Sequence, residues 1–136
     1  MKKIFAIVLL LICFSCGDEE FNPEKRYIEK IVILEGEISG FDVLSGADVK
    51  LRFTSRGEMK ETELIEDVIF LPLTFEDVAF ELTDSTFRLQ VLDVDEFAPE
   101  DIMFDRTFRP YRKTEDGNPF QLVYPDWIID VHWTTQ

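Results

Sequence analysis

Six consecutive residues, Val49-Lys50-Leu51-Arg52-Phe53-Thr54, alternate apolar and polar without a slip. Successive side chains of a β-strand point to opposite faces, so this segment asks to bury Val49, Leu51 and Phe53 and to leave Lys50, Arg52 and Thr54 to water. Phe87-Arg88-Leu89-Gln90-Val91 repeats the pattern; Val78, Phe80 and Leu82 line one face of a third segment, and Trp127, Ile129, Val131 and Trp133 one face of a fourth. No stretch of ten or more residues holds a clean helical period. Further strands are expected over Tyr27 to Glu37, over the acidic edge segment Met59 to Glu66, over Phe75 to Leu82, Ile102 to Phe108 and Phe120 to Tyr124, separated by Gly, Pro, Ser and Asp turns. Ile38 to Asp48 and Arg109 to Pro119 read as loops. About eight short strands at this spacing imply an all-β chain, a single antiparallel eight-stranded β-sandwich.

The N-terminus has a different logic. Lys2 and Lys3 precede an unbroken apolar run, Ile4 to Phe14. It is too short to span a bilayer, which takes about 20 apolar residues, but it suits the core of a signal peptide. It ends at Ser15-Cys16, a small residue before cysteine, as at the cut site of a bacterial lipoprotein. The expected organisation is a lipoprotein signal peptide over 1–15, a lipidated Cys16 opening an acidic tether over 16–26, and one domain over 27–136. The run Gly17-Asp18-Glu19-Glu20 resembles the export signal of Bacteroidota lipoproteins. That resemblance implies a lipid anchor in the outer membrane, at the cell surface. Cleavage removes Cys13 and lipidation occupies Cys16, so no thiol is left for a disulfide, a zinc site or a nucleophile.

Loss of Lys2 and Lys3 leaves 12 basic residues against 28 acidic ones, a net charge of −16. Such a surface repels nucleic acid and anionic membrane and attracts cations. The acids are not evenly spread. Asp93, Asp95 and Asp101 fall in a loop that contains Pro99 and follows directly on the Phe87–Val91 strand. Calcium takes six to eight oxygen ligands, mostly carboxylates on flexible backbone, and an acidic loop hung from a rigid strand supplies that chemistry.

Phe87 to Met103, FRLQVLDVDEFAPEDIM, resembles the strand and third calcium loop of a C2 domain, the calcium-dependent phospholipid-binding β-sandwich of protein kinase C and synaptotagmin. Asp93, Asp95 and Asp101 stand at that loop's three ligand positions. The family's first loop carries two further aspartates spaced Asp-x5-Asp before a Val-Lys-Val strand; Asp42 and Asp48 have that spacing, and Val49-Lys50-Leu51 follows. Pro72 and Phe75-Glu76 resemble the stretch between the two loops. The likeness runs over about Tyr27 to Trp133. Departures are the absence of Pro-Tyr after Asp48, Met103-Phe104 in place of a glycine after Ile102, and Leu71 in place of asparagine. The resemblance implies a calcium site formed by Asp42, Asp48, Asp93, Asp95 and Asp101. Its bound ion would bridge the protein to anionic lipid or to an envelope partner. The family's polybasic groove is not expected, because Glu61 and Glu63 lie beside Lys50, Arg52 and Lys60.

Other chemistries fit less well. His132, the sole histidine, alternates out of phase with Trp127 and Val131 and has no serine motif beside it. The chain offers no cleft-forming insertion for a carboxylate pair, no phosphate-cradling glycine loop and no zinc spacing, so no enzyme is expected. Tyr111, Tyr124, Trp127 and Trp133 could form a glycan platform, although tryptophans sharing a face more often fill a core. Arg106, Arg109, Arg112 and Lys113 form a basic cluster of the kind that balances neighbouring acids. The alternative to a calcium module is therefore a metal-independent β-sandwich serving as an interaction or glycan-binding subunit of an outer-membrane complex.

Overall fold

The computed structural model describes residues 24–38 and 46–136. Ten strands are formed: β1 (Arg26–Glu35), β2 (Ala47–Ser55), β3 (Glu58–Glu61), β4 (Ile65–Val68), β5 (Leu73–Phe75), β6 (Phe80–Leu82), β7 (Phe87–Asp93), β8 (Asp101–Phe108), β9 (Phe120–Tyr124) and β10 (Trp127–Thr135). They make two antiparallel sheets. One runs β5-β1-β10-β9, with β6 also on β1; the other runs β3-β2-β7-β8, with β4 also on β2. The fold is the expected all-β sandwich.

The alternation read from β2 is realised residue by residue, with Val49, Leu51 and Phe53 buried and Lys50, Arg52 and Thr54 half-buried on the outer face. Opposite them the first sheet supplies Ile31, Ile33, Phe75, Phe80, Ile129 and Val131. Three phenylalanines from three strands meet at the centre: Phe53 lies 5.6 Å from Phe80 and 5.6 Å from Phe87, ring centre to ring centre, and Phe80 meets Phe87 edge-on at 5.1 Å. Such pairs add to the burial itself. The β2–β3 hairpin closes in two residues, Arg56 (φ 51°) and Gly57 (φ 79°). Both are left-handed, the geometry that matches the twist of the flanking strands.

Eight strands were expected and ten are present among the described residues, because two expected strands are each interrupted. Met59 to Glu66 splits into β3 and β4. Between them Leu51 has no strand partner on that side, though it keeps Val91 on the other; its N–H bonds the Thr62 hydroxyl at 2.9 Å while Thr62 N–H bonds Leu51 O at 3.0 Å. Phe75 to Leu82 splits into β5 and β6. Asp77 (φ 52°) and Ala79 (φ 47°) turn left-handed on either side of buried Val78, whose N–H bonds Glu29 O at 3.1 Å. The bulge faces the shift in register that β1 itself makes between Ile28 and Lys30. The expected loop Arg109 to Pro119 contains a single helical turn, α1 (Pro110–Lys113), and a 3-10 turn over Thr114–Asp116. Pro110 stands at the first helical position, where its missing N–H costs nothing.

Candidate functional site

Strand register decides which loops are neighbours. Asp93 at the end of β7 stands opposite Val49 near the start of β2, and opposite Asp101 at the start of β8. Val68 at the end of β4 stands opposite Ala47. In the other sheet Leu73, the first residue of β5, pairs Ile33 near the end of β1. The connections β4–β5 and β7–β8 therefore emerge at one end of the sandwich, where β1 leaves and β2 enters. Asp48, Asp93, Asp95 and Asp101 all sit at that end. Asp42 and Cys16 lie outside the described residues, as do the signal peptide and most of the tether.

Shared position does not make these carboxylates equivalent. Asp93 is 2 % exposed. Its Oδ1 accepts the N–H of Asp48 at 2.9 Å, and Val94 N–H donates to Asp48 O at 2.9 Å. Asp93 thus stitches the end of β7 to the start of β2, which is how its burial is compensated. Asp48 Oδ1 accepts the N–H of Asp67 at 2.9 Å and so ties β4 to the same corner. Asp95 is half-buried in the β7–β8 loop and Asp101 is exposed. Among the described residues no three His, Cys, Asp or Glu side chains are grouped to hold a metal ion.

The same end carries apolar side chains in water. Phe97, at the tip of the β7–β8 loop, is 93 % exposed; Phe70, in the β4–β5 loop, is 79 % exposed, with Ile69 beside it. Ile102, next to Asp101, is exposed as well. Scattered exposed apolar residues are ordinary, but large ones carried on two loops at the same end of a sandwich suit a surface that meets a partner.

The β7–β8 loop is anchored by charge. Lys50 and Arg52, projecting from the outer face of β2, each reach both Glu61 on β3 and Glu100 at the end of the loop. Lys50 Nζ lies 3.0 Å from Glu61 Oε2 and also pairs with Glu100; Arg52 Nη2 lies 2.6 Å from Glu100 Oε2 and its Nε 2.6 Å from Glu61 Oε1. The quartet is neutral, two cations against two carboxylates. Sequence reasoning found Glu61 but missed Glu100, which is 48 residues from Arg52; two outward cations on one strand were the only signal that a second acid was needed. Asp67 and Phe70 were missed too.

The hydrogen bond from Lys50, joined by that from Arg52 and opposed by burial, holds the Glu100 carboxyl below its ordinary value of 4.5. At Glu61 burial pushes upward, but the bonds from Lys50 and Arg52 outweigh it and the net direction is also down. A lowered folded-state pKa means stability present above the unfolded value and lost as pH falls through the folded one. Stability is therefore expected to decline as pH falls below about 4.5, the ordinary value both groups keep in the unfolded chain. The double variant E61Q/E100Q should show a shallower decline in urea midpoint between pH 5 and pH 3. Equal slopes in the two proteins would mean that the quartet carries no such linkage.

The remaining candidates are engaged elsewhere. Trp127 is buried in the core, 5.2 Å from Phe104, and Tyr124 stacks edge-on against Phe104 at 5.3 Å. Tyr111 and Trp133 flank the Arg26 guanidinium at 4.4 and 5.0 Å, and Arg26 Nη1 donates to Thr114 Oγ1. These rings fasten α1 to β1 and β10 and form no open platform. Arg106 lies over Tyr124 at 5.2 Å, Arg112 lies 3.9 Å from Asp84, and Lys113 lies 3.4 Å from Asp116. Arg109 is exposed. His132 is half-buried opposite Lys30, out of phase with buried Ile129 and Val131.

No protein-family model matches the chain, and no curated protein matches it in sequence. Solved structures do. Human GIVD cytosolic phospholipase A2 in complex with methyl gamma-linolenyl fluorophosphonate superposes with a TM-score of 0.51 at 16 % identity, over 82 % of this chain and 17 % of that one. The same human enzyme with the inhibitor and terbium chloride gives 0.50 at 15 % identity, over 82 % and 18 %. A C2 domain of plant extended synaptotagmin 1 gives 0.48 at 10 % identity, over 82 % and 92 %. The chain thus spans less than a fifth of the phospholipase. At such identities the likeness is one of fold, a two-sheet antiparallel β-sandwich.

Proposed function

We propose that the chain is a lipid-anchored envelope protein whose C2-like sandwich docks on anionic lipid through its β4–β5 and β7–β8 loop end, with calcium as the bridge. The observation that carries this reading is that strand register puts Asp48, Asp93, Asp95 and Asp101 at the same end of the sandwich as exposed Phe70 and Phe97. An acidic end alone would repel an anionic surface. Apolar tips alone would give weak attachment. Acids that hold a divalent cation beside apolar tips resolve the conflict: the cation cancels the repulsion while the phenylalanines enter the lipid.

The donor set suits the ion. Carboxylate oxygens on a loop are what calcium takes, and the set contains no sulfur or imidazole that would favour zinc or copper. Asp95 and Asp101, with Asp42 and Asp48 from the first connection, would supply the ligands. Asp93, which closes the corner by accepting the Asp48 amide, would stand beside them as the fifth carboxylate. Cys16 would carry the acyl anchor, which would hold the domain at the membrane, on a side where calcium can be plentiful.

Calcium is expected to raise the melting temperature while magnesium does not. At free calcium of 100 times Kd the stabilisation would be about 2.7 kcal/mol, with Kd on the order of 10⁻⁴ to 10⁻³ M for an extracellular module. Co-sedimentation with phosphatidylserine vesicles should appear with calcium, disappear with chelator, and fall by about tenfold in Phe97→Asp, a charge placed where a ring would be buried. No thermal shift with calcium, or vesicle binding that ignores the chelator, would sink the proposal. Binding of neutral glycans, unchanged by chelator, would instead favour the metal-independent reading.

A further inference from the structure

Away from the loop end, the sandwich has an open side. The edge strands β3 and β4 of one sheet face β5 and β6 of the other, and among the described residues β3 and β4 pair only with β2, and β5 and β6 only with β1. Between them runs a trough of two adjoining hollows of about 510 and 650 Å³. Lys60 forms their shared wall and crosses the gap to donate to Val78 O at 2.6 Å and Ala79 O at 3.2 Å. The smaller hollow is lined by core residues Phe53 and Phe75, with Leu64 41 % exposed at its rim.

The acids beside this hollow differ from those of the outer sheet face. Glu61 is matched by Lys50 and Arg52. Glu63, Glu76 and Asp77 are exposed on the two walls and make no ion pair among the described residues. A strand edge presents unpaired N–H and C=O groups along its length. The break at Thr62–Leu64 also leaves backbone there outside the β2 ladder, with only Thr62 N–H bonded back to it.

We infer that this hollow is a docking groove for an extended segment of a partner protein that alternates basic with apolar side chains. Its main chain would add to the β3–β4 edge. Its apolar side chains would lie against Leu64 and Ile65, above buried Phe53 and Phe75, and its lysines or arginines would meet Glu63, Glu76 and Asp77. Charge selects this occupant over the others. A second copy would bring a net −14 onto uncompensated acids, and the chain's own Asp18-Glu19-Glu20 segment has the same wrong sign.

The test is fluorescence anisotropy of the full chain with a labelled Lys-Val-Lys-Val-Lys-Val-Lys peptide at physiological salt. Saturable binding is expected, weakened about tenfold by the triple variant E63Q/E76Q/D77N and by less than about twofold by E24Q/E115Q/D126N, which removes three exposed acids elsewhere. Asparagine tolerates the left-handed backbone of Asp77, and unchanged melting of the triple variant confirms its fold. A peptide N-methylated at alternate residues, unable to pair with the edge, should lose binding. No saturable binding up to about 1 mM, the weak end of specific association, would overturn the inference. So would equal loss in both triple variants, full binding by the N-methylated peptide, or a dimer in sedimentation that E63Q/E76Q/D77N dissociates. Anionic-vesicle binding should be unchanged in E63Q/E76Q/D77N, which keeps this groove separable from the calcium end.

Discussion

Phe53→Ala is expected to lower the unfolding free energy by about 3–5 kcal/mol, the usual loss for a phenylalanine removed from a packed core. Phe53 has no measurable exposure. It sits on the central strand β2 and is the ring through which the two sheets meet, touching Phe80 of one and Phe87 of the other. Two aromatic contacts are lost together, and neither neighbour can follow the vacated volume, because Phe80 and Phe87 already pack edge-on against each other. A drop of roughly 10 °C or more in melting temperature is expected for a domain of this size. The denaturant slope should be unchanged if the native fold survives. A loss under about 1.5 kcal/mol, the range of volume-conserving core swaps, would mean that the three rings repack and that the core is looser than the ring distances indicate.

Gly46→Ala is expected to cost about 3 kcal/mol, the upper end of the usual range for overpacking, with its effect concentrated at the loop end. A methyl group there would stand 2.4 Å from the Asp67 carbonyl carbon and 2.7 Å from both Asp67 O and Val68 N. All three are backbone atoms of β4, so no side chain can swing aside. β4 must shift, which opens the Ala47–Val68 pairing and stretches the bond from Asp67 N–H to Asp48 Oδ1. Faster hydrogen exchange at the Asp67 amide, with the Val91 amide still protected, would show that the damage is local. If calcium binds as proposed, its affinity should fall in the same variant, since Asp48 is displaced. Wild-type stability and an unchanged Asp67 amide would show that β4 yields without cost.

Much of the sandwich was legible because burial acts on one residue at a time. Val49, Leu51 and Phe53 had to face inward whatever lay opposite, and the same holds for Ile129 and Val131. The two broken strands were not legible. Ala79 is not a residue that announces a left-handed backbone, and Asp77 is only one of many aspartates that could adopt it; both turn where Val78 is drawn in to bond Glu29 on a strand far earlier in the chain. The candidate site divides along the same line. The acidic loop is visible as Asp93-x-Asp95-x5-Asp101, but nothing in that spacing says that Asp93 would spend an oxygen on the Asp48 amide or that Glu100 would be held by Lys50 and Arg52.

Local pattern alone settled the fold class, the inward face of each long strand and the acidic character of the β7–β8 loop, because alternation and charge are properties of short segments in water. Only the tertiary structure decided that the acids of the β2 entry and β7–β8 loop share an end with Phe70 and Phe97, and that the opposite sheet edges enclose a trough. Those facts depend on register between strands distant in sequence, and register is chosen by the fit of two whole faces, which no single segment contains.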